Sequence, residues 1–230
     1  AETISFLLRI FRDAMGSPVE MEYAIDLDAG ERGVPTFYIL QIKPLIRNDQ
    51  QLHIELGKHD AESCLMYAKN GMGHGQLEGI HDVIYVSSEH FNKLKTEQIA
   101  QEVNYFNKKL TGKEYVLAGP GRWGTRDPHT GIPVAWSEIS RARVIVELGL
   151  PDFPLEGSLG SHFFHNVTSM NVGYFSIPYG MQDATFNEQL LKTHAELIES
   201  TEYVRHYRFA QDLEILMDGK KREALVRITN

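Results

Sequence analysis

Between Val116 and Trp136 the sequence reads VLAGPGRWGTRDPHTGIPVAW, a run with four glycines and three prolines. Proline lacks the amide hydrogen that a helix interior needs, and its ring clashes with the preceding turn. Pro128 and Pro133 therefore exclude a helix directly after the apolar, strand-like residues Tyr115 to Ala118. The strand–helix–strand rhythm of a doubly wound parallel sheet fails here. Elsewhere strands and helices also interleave without it, which favours an α+β fold with a mixed, mainly antiparallel sheet.

The remaining elements follow from periodicity. Ile4, Leu7, Leu8 and Phe11 fall on one helical face and predict a helix from Glu2 to Met15, capped by Gly16 and stopped before Pro18. Val19, Met21, Tyr23 and Ile25 alternate with Glu20, Glu22, Ala24 and Asp26, the pattern of a strand. The segment TFYILQIKPL predicts its hairpin partner. After Leu45 a second unit is expected. CLMYAKNGMGHGQLEGIHDVIYV reads as strand, glycine-rich turn, strand. Ile99, Val103, Phe106 and Leu110 stripe a helix capped by Thr96 and ended by Gly112. EYVLAG, ARVIVEL and VGYFSI are strands, SLGSHFFHNVTS a short helix, and Asn187 to Ile198 a further helix. EYVRHYRF, then LEILMD and KREALVRI around Gly219, close the series as strands. Two domains result, residues 1–45 and 46–230.

Composition excludes several classes. A net charge of -8 argues against a broad nucleic-acid face. No apolar run approaches the ~18 residues that would predict a membrane span. The single cysteine, Cys64, allows neither an internal disulfide nor a cysteine zinc cluster and fits a cytoplasmic protein. It sits in an apolar strand and is expected to be buried. The sequence begins inside an amphipathic pattern, so a longer polypeptide upstream of Ala1 is expected.

Side-chain parity gives the hairpin a chemical face. Glu20 and Glu22 share one side of the first strand, and Gln41 and Lys43, with Ile39, share one side of the second. If Glu22 lies opposite Gln41, antiparallel register puts Glu20 opposite Lys43, and both polar pairs project together. A solvated face with one ion pair and a ligand face both remain open on this pattern alone.

The helix with RDAMGSPVEMEYA, the acidic strand and the strand carrying LQIKP resemble the end of the ATP-grasp-like nucleotide-binding domain of phosphoenolpyruvate synthase and pyruvate phosphate dikinase. The likeness covers about residues 1 to 45. It implies that Glu22 coordinates the magnesium bridging the ATP phosphates, with Glu20 a second acidic position and Gln41 beside phosphates and metal. Lys43 stands where that family has arginine, keeping the charge but not the planar fork. Magnesium takes oxygen ligands and is commonly held by one or two carboxylates plus substrate phosphates. The resemblance implies Mg2+ and ATP as cofactors of an intact phosphotransferase. It also implies that the chain alone is not a competent kinase, because the other lobe of such a site would precede Ala1.

Residues 46–230 are more loosely similar to an uncharacterised region that follows such a domain in some bacterial proteins, with a Gly-Pro-Gly-Arg-Trp-Gly motif and a later His-Phe-Phe. No activity comes with that likeness. GPGRWG is neither a P-loop, since no lysine follows Gly124, nor a dinucleotide fingerprint, since no helix can follow. It is expected either as a binding loop or as a shaped structural loop. As a binding loop, Arg122 and Arg126 would meet an anion and Trp123 would stack. As a structural loop, Trp123 and Trp136 would anchor it and the arginines would pair with Asp127 or other acids. His162 and His165 could share a helical face for a metal, with His129, Asp127 or Glu147 as a third ligand, or could belong to the same anion pocket as Arg122. Two functions are thus carried forward: the edge of an ATP site in an enzyme, and a regulatory module that recognises an anionic small molecule.

Overall fold

The computed structural model describes residues 2–15, 19–27, 35–44, 64–125, 127, 129–155 and 172–229. The chain divides into two compact units, Ala1–Asp49 and Gln50–Asn230. The class is α+β, with a mixed, mainly antiparallel sheet.

The first unit has α1 (Glu2–Met15) and the strands β1 (Val19–Asp26) and β2 (Thr36–Pro44). Among the described side chains of α1, Ile4, Leu7, Leu8 and Phe11 are the half-buried ones, as the spacing predicts. β1 and β2 pair antiparallel, with a bulge between Glu22 and Tyr23. Leu40 is the extra residue, so Ile39 is the partner of Tyr23 and leaves the face expected for it with Gln41. Tyr23 stacks on Phe37 at 4.8 Å between centroids, a diagonal pair across the strands.

The second unit is one large sheet. Its strands are β3 (Cys64–Ala68), β4 (Gly71–Met72), β5 (Gly75–Val86), β6 (Tyr115–Pro120), β9 (Ala142–Leu148), β10 (Gly173–Ile177), β11 (Thr185–Phe186), β12 (Ala195–Ser200), β13 (Val204–Asp218) and β14 (Glu223–Ile228). A separate small pair, β7 (Arg122–Trp123) and β8 (Gly131–Ile132), lies in the glycine- and proline-rich segment. The sheet runs β11-β3-β14-β13-β5-β6-β9-β10-β4, with β12 also on β13. β5, β6, β9 and β10 form a parallel block; every other pairing in this sheet is antiparallel. Only Lys69 and Asn70 separate β3 from β4, which lie towards opposite ends of that order. The sheet therefore curls round on itself. At the closure a side chain on Gly173 of β10 would meet Met217 Sδ of β13 at 2.5 Å and would force that side chain to shift.

Alternation sorts the strands into two cores. Val116, Ala118, Val144, Val146, Phe175, Ile215 and Val226 pack on the concave side. Tyr115, Leu117, Ile145, Tyr174 and Val204 pack on the other, under α2 (Thr96–Lys109), whose stripe of Ile99, Val103, Phe106 and Leu110 is buried. Lys95, not Thr96, is the N-cap of α2. Cys64 is buried, and desolvation pushes its thiol up to about 11.

Two sequence-based expectations change at the C-terminal strands. The helix from Asn187 is shorter: α3 spans Glu188–His194, with Asn187 accepting from the Leu190 N–H at 3.0 Å. Ala195–Ser200 is instead the strand β12, drawn out by pairing with β13. The expected strands EYVRHYRF and LEILMD form one strand, β13, with a register break between Arg208 and Leu213. The short helix expected over SLGSHFFHNVTS lies outside the described residues.

Candidate functional site

The hairpin carries the predicted polar face. Glu20 pairs with Lys43 and Glu22 with Gln41. Lys43 Nζ lies 3.3 Å from Glu20 Oε1 and 3.5 Å from Glu22 Oε1, with all three side chains about half exposed. Hydrogen bonding to Glu20 is the chief cause that raises the Lys43 pKa. Gln41 is exposed beside them. Two carboxylates and a carboxamide oxygen therefore stand on one open side of a two-stranded ribbon. This donor set suits a hard cation that draws its remaining oxygens from phosphate and water. Among the described residues no group of three or more His, Cys, Asp or Glu side chains is arranged to hold a metal without such help.

The GPGRWG segment is built differently. The Gly121 amide donates to Leu148 O at 2.9 Å and the Gly124 amide to Ile132 O at 3.0 Å. Gly121 has φ 78° and lies against Phe153, whose ring a side chain there would meet at 2.2 Å. A side chain on Gly131 would lie 2.0 Å from the Arg122 carbonyl oxygen. These glycines thus admit protein atoms, not a ligand. Trp123 is only 2% exposed and its indole N–H donates to Val146 O at 3.0 Å, so it is a core anchor and not an open stacking face. Trp136 packs partly buried against the same core.

A buried carboxylate ties this segment to the sheet. Glu147, 5% exposed near the end of β9, accepts from the Trp123 amide at 3.2 Å and from Ser176 Oγ at 2.8 Å, and the Tyr174 hydroxyl donates to it as well. Burial raises its pKa, against the opposing hydrogen bonds and the nearby Arg122 charge. Burial likewise raises the Tyr174 pKa far above the usual phenol range. The only sequence signal for Glu147 is an acidic residue inside the largely apolar run ARVIVEL, which also carries Arg143.

Arg122 is half-buried and makes no ion pair among the described residues; Asp127 Oδ1 accepts from the His129 amide at 2.9 Å. Arg126, His162 and His165 lie outside the described residues. Of the third metal ligands expected for those histidines, Glu147 has both oxygens engaged internally. A second buried charge cluster was not legible in the sequence. Asp82 on β5 takes Arg208 Nη1 at 2.8 Å and lies 2.7 Å from His206 Nε2, both from β13. The cluster joins the two most extensively paired strands from within and leaves no charge of Asp82 unpaired.

The chain matches no protein-family model, no curated protein and no solved structure.

Proposed function

We propose that the helix and hairpin of residues 2–44 form one edge of an ATP-grasp-like nucleotide site in a protein resembling phosphoenolpyruvate synthase. The observation that carries this reading is the register. It aligns Glu20 with Lys43 and Glu22 with Gln41 on one exposed side, where the resemblance requires its polar residues. Glu22, with Glu20, would hold magnesium; Gln41 and Lys43 would face the phosphates. Bound magnesium supplies charge neutralisation of the phosphates, and the protein supplies position. Such an enzyme works in the cytoplasm, where ATP is available. The chain by itself contributes one edge and binds ATP weakly. In the intact polypeptide, Glu22→Ala should abolish ATP turnover while the unfolding midpoint stays put; unchanged turnover refutes the metal role. Tight calorimetric binding of ATP with magnesium to this chain alone refutes its incompleteness.

One observation favours a second reading for the larger unit, recognition of an anionic small molecule. Arg122 follows the C-terminal end of β6 in the parallel block, the end where parallel sheets bind ligands, and makes no ion pair among the described residues, though its charge acts on the nearby Glu147. Arg122→Gln should then abolish binding of inorganic pyrophosphate, read by calorimetry.

A further inference from the structure

The hairpin holds three charges where a metal site would hold two, and the third is informative. Glu20 and Glu22 stand on the same face of β1, so their like charges face each other along one strand. Lys43 lies directly across from Glu20 and diagonally from Glu22, and its ammonium is within ion-pair distance of both. An ammonium suits this position. It is a compact point charge with three rotatable donors on a flexible stem, whereas a guanidinium would commit its planar fork to one carboxylate. The three side chains are also half exposed, and ion pairs so open to water are held weakly. The ammonium can leave at little cost.

We infer that Lys43 is a displaceable occupant of the cation position between Glu20 and Glu22. It holds the two carboxylates together and gives way to a divalent cation, which frees its charge for phosphate. This rests on the reading of the hairpin as a metal–ATP edge and adds a competition within it. Divalent cation and Lys43 ammonium exclude each other at the carboxylates, so the lysine weakens metal binding in the absence of nucleotide.

The test is a titration of Mn2+, as a spectroscopic stand-in, into the 230-residue chain followed by electron paramagnetic resonance of the free ion. Lys43→Met keeps the stem and removes the charge; it should tighten Mn2+ binding about tenfold, the scale of removing one charge near a cation in water. Lys43→Arg should leave affinity near that of the unaltered chain, and Glu22→Gln should abolish binding. In a second readout, the Lys43 side-chain NMR signals should shift as magnesium is added, and should not shift in Glu22→Gln. Glu22-dependent binding that Lys43→Met does not tighten overturns the competition and leaves the metal edge standing. If no variant shows Glu22-dependent binding, both ideas fall.

Discussion

The hairpin of residues 19–44 and the segment of residues 119–132 invert what their sequences suggest. The segment is rich in glycine, the composition of a loop that lets a ligand approach the backbone. Gly121 and Gly131 are instead closed off by Phe153 and by the Arg122 carbonyl, and Trp123 is in the core. The hairpin has no such composition, yet it keeps Glu20, Glu22, Gln41 and Lys43 open to water. Glycine marks close approach, but whether the approaching group is a ligand or the protein's own chain depends on packing that composition does not encode.

Substitutions should separate the two regions by their energetics. The largest effect is expected at Trp123: its replacement by alanine empties a filled site and should cost about 3–5 kcal/mol in chemical unfolding. If the loss is under about 1 kcal/mol, a value typical of surface positions, the core role is wrong. Next comes Gly131→Ala, which forces a methyl group against the Arg122 backbone and should cost about 1–3 kcal/mol.

A smaller, pH-dependent effect is expected at Glu147. Burial raises its folded pKa above the ordinary 4.5, so the folded chain binds that proton more tightly than the unfolded chain does. Its contribution is fully present below pH 4.5 and is lost as pH rises through the raised value. The stability of the unaltered chain relative to Glu147→Gln should therefore fall as pH rises from about 4.5 through the raised value and level off above it. Urea unfolding across a pH series checks this, and a flat difference contradicts it. The smallest effect belongs to the hairpin: Lys43→Met should leave the unfolding midpoint unchanged, because its partners are exposed. A clear drop there would make the ion pairs structural and erase the contrast.

Local pattern made much of this legible. The stripe of α2, the burial of ARVIVEL and the cross-strand partners of Glu20 and Glu22 all follow from periods of 3.6 and 2 read within one segment. What escaped depends on distant chain. The bulge at Leu40 breaks the parity that grouped Ile39 with Gln41. Ala195–Ser200 has the apolar residues of a helix end but becomes a strand because β13 offers it an edge. Glu147 is a buried acceptor only because Tyr174 and Ser176 arrive from β10 and the Trp123 amide folds back over it.

The place of β13 in the sheet sets an order of events. It is the strand on which β5, β12 and β14 all pair, yet of the strands described in this sheet only β14 follows it in the sequence. Its contacts with β5 join residues more than a hundred positions apart, the kind of pairing that slows folding. Until Val204–Asp218 is made, β5 has a bare edge and the concave core has no far wall. A chain cut short before that strand would be left with an exposed template for aggregation, not a smaller version of the same fold.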